Sequence, residues 1–290
     1  MPSLSEALVV LGLGDRLVGV TAYCVLPPGA FAALPKVGGT KDADVAAILE
    51  LRPDLVIANQ EENTARVVGK LVEAGIDVWV TYPRTVREGA ELLRALARLG
   101  AAPEVEARVV EPVFAAIEAA ERRRERRPDP VRTDRSGPAE GAVDPAAARL
   151  PPPVRVFCAI WRDPWMTVGA DTYIHDLIEL CGGANVFAET ISSVEPVPGP
   201  GAGDERTSGA RNRRYPIVDR AAIEAARPEV ILLPSEPYAF GERDREELLG
   251  FDCPAAVGGR VHCIDGSLVS WYGPRIAEAI RVLGPLLANV

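Results

Sequence analysis

The sequence is poor in the residues that carry transition-metal chemistry. It has two histidines, His175 and His262, and five cysteines in 290 residues. Two imidazoles cannot build a multi-histidine metal site. The cysteine count is odd and no Cys-x-x-Cys pair occurs, which points to reduced thiols; Cys158 and Cys263, in apolar strand-like settings, are expected to be buried. No Gly-x-x-x-x-Gly-Lys-Ser/Thr loop and no Gly-x-Ser-x-Gly elbow occurs, so two common nucleotide and hydrolase chemistries have no carrier. A basic excess is also lacking. The net charge of −9 speaks against nucleic acid as a partner. No apolar run approaches the ~18 residues of a membrane span. Met1-Pro-Ser-Leu-Ser-Glu6 has no basic start and Ala7–Leu13 no cleavage site, so the sequence as it stands reads as cytoplasmic. An upstream start with a secretion signal would make it extracytoplasmic.

What the sequence does contain is a repeat. Residues 44–57 read Asp-Val-Ala-Ala-Ile-Leu-Glu-Leu-Arg-Pro-Asp-Leu-Val-Ile, and residues 219–232 read Asp-Arg-Ala-Ala-Ile-Glu-Ala-Ala-Arg-Pro-Glu-Val-Ile-Leu. At an offset of 175, six of fourteen positions are identical and the last four pairs keep their character. Each copy predicts a helix capped by its Asp, with an apolar Ala-Ala-Ile face. Arg is placed in the last turn, Pro ends the helix, and a short buried strand follows. The period is too long for a solenoid of small repeats. It implies two similar lobes with a cleft between them, and 290 residues suffice for two cores.

Strand and helix alternate along the chain, so the expected class is α/β with mainly parallel sheets. Ser3 and Glu6 are spaced as a capping box for a first helix over 3–13, and a strand is predicted over Leu17–Val20. Strands follow at Leu55–Ala58 and Ile76–Thr81, with helices over Thr64–Ala74 and Val86–Leu99. From 103 to 127 glycine is absent and Val105, Val109, Val113, Ile117 and Ala120 recur at helical spacing. This predicts one long helix of ~37 Å that joins the lobes. Residues 128–153, rich in Pro, Ala, Asp and Arg, read as a disordered linker. The second lobe runs over 154–290, with strands at Val154–Ile160, Ala184–Phe187, Val230–Leu233 and Arg260–Ile264, and a helix over Thr172–Cys181. A mobile Pro/Gly/Ser/Arg insertion occupies 191–213. The first lobe is 1–102.

In parallel α/β folds ligands bind beyond the carboxyl ends of the strands. The residues just after each predicted strand include Tyr23, Cys24, Glu61, Glu62, Tyr82, Arg84, Trp161, Arg162, Trp165, Glu236, Tyr238, Trp271 and Tyr272. The chain has only 4 Trp and 6 Tyr, and three of the Trp and four of the Tyr fall in these loops. Amphipathic aromatics gathered at strand ends suit a large, flat, partly apolar ligand hydrogen-bonded at its rim. Packing of the lobe ends is the plainer reading of any single one. Glu61 and Glu236 are equivalent under the repeat, as ligand contacts or docking residues, or as acids favoured at helix starts. Nothing else supports a hydrolytic carboxylate pair.

Leu11-Gly-Leu-Gly-Asp-Arg-Leu-Val-Gly-Val20, Pro35-Lys-Val-Gly-Gly39, Leu51-Arg-Pro-Asp-Leu-Val-Ile57, Cys181-Gly-Gly-Ala-Asn-Val-Phe187, Ala226-Arg-Pro-Glu-Val-Ile231 and Pro274-Arg-Ile276 together resemble the cobalamin/iron-siderophore substrate-binding proteins of ABC importers. Trp161-Arg-Asp-Pro-Trp165 and Ser270-Trp-Tyr-Gly-Pro274 resemble loops of its cobalamin-binding subgroup. The resemblance implies two lobes on one backbone helix and a binding protein rather than an enzyme. It also implies a monomer with no intrinsic cofactor. The implied ligand is cobalamin first, with heme or a ferric siderophore as alternatives; a cytosolic corrinoid-handling factor or enzyme is the reading from another class. It further implies an ABC permease docked through one acid per lobe, for which Glu62 and Glu236 are candidates. Family members usually begin with a strand ahead of the first helix, and this chain starts at the helix, so the first lobe is expected to be one strand short.

Overall fold

A computed structural model describes residues 1–125, 152–190 and 213–288. The stretches read as linker (128–153) and insertion (191–213) lie outside these residues, save 152, 153 and 213. The first lobe contains helix α1 (Pro2–Val10), α2 (Val45–Glu50), strand β1 (Leu55–Asn59), α3 (Ala65–Glu73), β2 (Asp77–Thr81) and α4 (Val86–Ala97). Helix α5 (Pro103–Glu125) follows. The second lobe contains β3 (Val154–Cys158), α6 (Tyr173–Leu180), β4 (Gly183–Asn185), α7 (Arg220–Ala225), β5 (Val230–Pro234), α8 (Glu242–Leu248), α9 (Pro254–Val257), β6 (Val261–Ile264), α10 (Ser267–Ser270) and α11 (Ile276–Ala288). Among the described residues β1 and β2 form a two-stranded sheet and the other strands a four-stranded one, ordered β4-β3-β5-β6. All pairings within these sheets are parallel.

The repeat is carried in the backbone as well as the sequence. Asp44 accepts a hydrogen bond from the Ala47 N–H at 3.1 Å, and Asp219 accepts one from the Ala222 N–H at 2.8 Å. Each satisfies an N–H that the first helical turn cannot pair. At the other end, Arg52 and Arg227 adopt φ of 48° and 45°. These arginines therefore lie beyond the last turn, not within it as the pattern predicted. The following Pro disfavours a helical residue before it, and the left-handed conformation turns the chain into the strand.

The two copies differ in their surroundings. Strand β5 has β3 on one side and β6 on the other, and all five of its residues are buried. Its counterpart β1 pairs with β2 alone, and Leu55, Val56 and Ile57 are only half-buried. On the other side of β1 lies a cavity of about 410 Å³, lined among others by Leu4, Leu8, Val20, Ile57, Val67 and Leu71. The strand predicted over Leu17–Val20 is reduced to one bridge between Val20 and Lys36, because Gly14–Arg16 forms a 3-10 turn that sets the following chain apart from the sheet. The Ser3/Glu6 capping box is also corrected. Helix α1 already starts at Pro2, so Ser3 and Glu6 lie inside it, and the Glu6 carboxylate pairs with Arg275, Oε1 to Nη2 2.7 Å.

One apolar core runs through both lobes. Leu4, Leu11, Leu93 and Leu96 from the first lobe cluster with Val156, Leu177, Leu232 and Leu283 from the second. Val110, Val113, Phe114 and Ile117 of α5 are buried in the same cluster, and α5 packs on α4, α6 and α11. Twenty-three residues of helix span ~35 Å. Gly89 of α4 is needed where the lobes meet: a Cβ there would lie 2.8 Å from the Tyr272 Cβ and 3.3 Å from the Tyr173 ring. Four cysteines are buried, and none is in a disulfide; Cys263, expected to be buried, is exposed on β6, an edge strand of its sheet.

Candidate functional site

The first group of site residues is aromatic and belongs to the second lobe. The loop after β3 folds back on itself through a bridge between Trp161 and Met166, and Met166 bridges on to Ile217. This places Trp161 edge-on to Tyr238, ring centroids 5.6 Å apart. Tyr238 packs on Phe240 at 4.6 Å, and Phe240 stacks on Trp165 at 5.9 Å with the planes 5° apart. Four rings from two strand-end loops thus pack in one row, with Phe240 buried, Trp165 and Tyr238 half-buried and Trp161 at the exposed end. Trp161 is 44% exposed. Arg162 lies under the Trp165 ring at 5.2 Å and pairs with Asp244 at 2.6 Å and with Glu247. The carboxylates fix its guanidinium, so it serves to hold the loop rather than as a free cation.

The second group is charged and crosses between the lobes. Arg214 Nη2 lies 2.8 Å from Glu61 Oε1, an ion pair bent too far to count as a hydrogen bond. Tyr215 donates its hydroxyl hydrogen to the same Glu61 carboxylate. Arg214 Nε also donates to the Asp171 carbonyl at 2.6 Å, and Arg84 Nη1 pairs with the Asp171 carboxylate at 3.1 Å. The Tyr82 ring lies against both guanidiniums, 5.6 Å from Arg84 and 5.0 Å from Arg214. Glu61, Tyr82 and Arg84 come from the first lobe, Asp171, Arg214 and Tyr215 from the second. Burial, then the Glu61 charge, pushes the Tyr215 phenol up, so it stays a donor. Burial likewise pushes Tyr82 up, against the opposing pull of Arg214.

Arg214 and Tyr215 were not among the residues expected from sequence, because no predicted strand ends just before them. The segment is positioned instead by hydrogen bonds to the Trp161 loop: the Gly169 N–H donates to the Arg214 carbonyl at 2.8 Å and the Thr167 N–H to that of Pro216 at 3.0 Å. The Arg213-Arg-Tyr-Pro216 run at the end of a Pro/Gly-rich stretch was the available signal.

The remaining expected residues lie elsewhere. Tyr272 is buried between the lobes; its hydroxyl accepts from Asn59 Nδ2 at 2.6 Å and its ring meets Tyr173 edge-on at 5.7 Å. Burial, then Glu61 and Glu62, pushes its phenol up. Trp271 is buried under Arg275, 5.1 Å away. Cys24 is buried, with its sulfur 3.3 Å from the hydroxyls of Ser5 and Thr21, while neighbouring Tyr23 is 62% exposed. The repeat partners Glu61 and Glu236 are used differently: Glu61 reaches the opposite lobe, whereas Glu236 accepts from Ser270 Oγ of its own lobe at 2.7 Å. The Glu62 N–H donates to Asn59 Oδ1 at 3.3 Å. Among the described residues no three His, Cys, Asp or Glu gather into a metal site.

The sequence profile of the periplasmic binding protein family matches residues 2–132. The vitamin B12-binding protein of Vibrio cholerae is 30% identical over 189 residues, which cover 65% of this chain and 59% of that protein. The vitamin B12-binding protein of Yersinia pestis is 31% identical over 232 residues, 80% of this chain and 66% of that protein. The chain thus spans about 59–66% of the length of these curated relatives. Two solved structures share the fold at 22% identity. The periplasmic vitamin B12-binding protein of Vibrio cholerae superposes with a TM-score of 0.72 over 99% of this chain and 93% of its own. The apo periplasmic heme-binding protein of Roseiflexus does so with a TM-score of 0.70 over 98% and 94%.

Proposed function

We propose that this chain, which belongs to the periplasmic binding protein family, captures a corrinoid, cobalamin first, between its two lobes and delivers it to an ABC-type importer. The observation that carries the reading is the row of four rings, Trp161, Tyr238, Phe240 and Trp165, that comes to the surface at Trp161. A corrin is a large, flat and apolar macrocycle fringed with amides. Aromatic faces match the ring, and the cross-lobe groups Glu61, Arg84, Asp171 and Arg214 match the fringe. The relatives' names agree with this ligand. The common apolar core and α5 limit the movement between lobes, so capture needs small loop and side-chain shifts.

Heme is the second reading, favoured by the exposed Tyr23 phenol as an iron ligand. Against it, the surroundings of Tyr82, Tyr215 and Tyr272 all raise the phenol pKa, which opposes phenolate ligation. The relatives matched in structure are periplasmic, which supports an extracytoplasmic site of action; the cytoplasmic reading of the amino terminus gains no support from them. Glu62 and Glu236 remain the proposed permease contacts. The test is co-elution: purified protein incubated with cyanocobalamin carries the vitamin's visible colour through gel filtration if aromatic burial of a ~1 μM ligand is right, about −8 kcal/mol. Elution of all colour with the small molecules, for cobalamin and for other corrinoids, overturns the reading.

A further inference from the structure

We propose that Asp244 is a positioning residue of the ligand site, whose one carboxylate ties together the two loops that carry the aromatic row. The rings leave separate strand ends. Trp161 and Trp165 follow β3, Tyr238 and Phe240 follow β5, and these strands are neighbours in the sheet. Apolar burial is non-directional, so ring contact alone does not set how the two loops stand to each other. Asp244 supplies the directional bonds. Its Oδ1 accepts from Arg162 Nη1 at 2.6 Å, in the turn between Trp161 and Trp165. Its Oδ2 accepts from the Gly241 N–H at 2.9 Å, where the Tyr238–Phe240 loop passes into α8. Asp244 is 7% exposed, so little water competes for either oxygen, and the bond to Arg162 is charge-assisted.

The tie stands on a fixed support. Leu248 of α8 is buried in one cluster with Phe240 and Ile231, and Arg245 Nε donates to the Val261 carbonyl of β6 at 2.9 Å. Glu247, one turn along from Asp244, takes Nη2 of the same Arg162, so the guanidinium is held by two carboxylates of one helix. The loop it anchors needs anchoring. The Met166 N–H donates to the Trp161 carbonyl at 3.0 Å and closes a turn in which Asp163 has φ of 58°, an unfavourable region for a residue with a Cβ. The Trp165 ring lies 5.2 Å from the Arg162 guanidinium and is fixed through it. The plainer role of Asp244 is an acid in the first turn of α8. That role accounts for the bond to Gly241 but not for the one to Arg162, 82 positions away. A cap acts on α8 alone, whereas a tie also acts on the Met166 turn.

Asp244→Asn tests the tie, since a single amide oxygen cannot take up both the Arg162 and the Gly241 bonds as the two carboxylate oxygens do. Arg162→Lys is the second variant; it keeps the charge but loses the planar fork that spans Asp244 and Glu247. In the ligand-free chains the Met166 amide is expected to exchange hydrogen at least ~10-fold faster in both variants, while the Ile231 amide of β5 stays within ~3-fold of the parent. Cobalamin affinity is expected to fall at least ~5-fold in Asp244→Asn, and the same substitution made on top of Trp161→Ala is expected to cost less than ~2-fold more, because Asp244 acts through the ring it places. Parent-like Met166 exchange in both variants overturns the tie. Parent-like cobalamin affinity, or full additivity with Trp161→Ala, overturns its role in binding. The tie itself does not depend on the ligand's identity, whereas its effect on affinity rests on the corrinoid reading. A parent chain that takes up no cobalamin sinks that reading, and Met166 exchange alone then decides the tie.

Discussion

Replacing Glu61 by glutamine removes one charge from the bridge between the lobes while keeping an oxygen for Tyr215 to donate to. The pair with Arg214 is close, at 2.8 Å, and sheltered, with side chains 14% and 26% exposed. Coulomb attraction at this distance is ~1.5 kcal/mol in bulk water and ~6 kcal/mol at an effective dielectric of 20. Desolvation of both groups and the bent geometry offset most of the larger figure, and contacting pairs couple by ~0.5–3 kcal/mol. The expected coupling is about 1.5 kcal/mol, with a fall in Tm of roughly 3–6 °C for Glu61→Gln and a larger one for Arg214→Gln, which also loses the bond to Asp171. The assay is a double-mutant cycle of Glu61→Gln and Arg214→Gln by urea denaturation. The cycle cancels the separate loss of the Arg214 bond to Asp171. Because the pair is partly shielded, ~0.5 M salt is expected to reduce the coupling without abolishing it. A coupling below ~0.3 kcal/mol would show that the lobes meet by apolar packing alone and refute this account of the bridge.

Three further outcomes follow. Gly89→Ala puts a methyl 2.8 Å from Tyr272 and is expected to cost about 1–3 kcal/mol of stability, read by thermal or urea unfolding; an unchanged Tm contradicts the close approach of the lobes. Trp161→Ala, at a residue 44% exposed, is expected to leave Tm within about 2 °C of the parent and to weaken corrinoid affinity by at least ~10-fold, about 1.4 kcal/mol. Burial, then Arg260 and Arg245, hold His262 below its ordinary value of 6.5. The unfolded chain therefore binds the proton more readily, so stability is intact above pH 6.5 and falls as the pH drops below it. His262→Gln is expected to flatten that part of a Tm-against-pH curve.

The strongest local signals in the sequence were those with a complete physical cause in a few residues. Asp44 and Asp219 cap their helices and Pro53 and Pro228 end them, so helix, turn and strand could be placed in both lobes. The alternation of strand and helix gave the parallel sheets. Thr64 and Thr85, read inside or beside the next helices, cap them as the side chains accept from Val67 and Glu88. Three short helices, α8, α9 and α10, were not foreseen, since seven residues or fewer carry little periodicity. A strand was expected over Leu17–Val20, yet a strand needs a neighbour, and Val20 bridges only to Lys36.

The site was legible in part. Strand-end position picked out Trp161, Trp165 and Tyr238, whose contact depends on two loops meeting beyond adjacent strands. It could not separate these from Trp271 and Tyr272, which sit at equally promising strand ends but are buried against Arg275 and Asn59. That distinction is set by long-range packing between the lobes. Arg214 escaped because its place is fixed by backbone pairing to Gly169, a contact 45 positions away in sequence with no local pattern to announce it.

The central claim is that the aromatic row of the second lobe, exposed at Trp161, holds a corrinoid. Calorimetric titration of the purified chain with cyanocobalamin, and in parallel with hemin, tests it most directly. One-to-one cobalamin binding at ~1 μM or tighter is expected, with weaker hemin binding and a cobalamin affinity at least ~10-fold lower in Trp161→Ala. Cobalamin affinity no better than ~100 μM, about −5.5 kcal/mol, would contradict it.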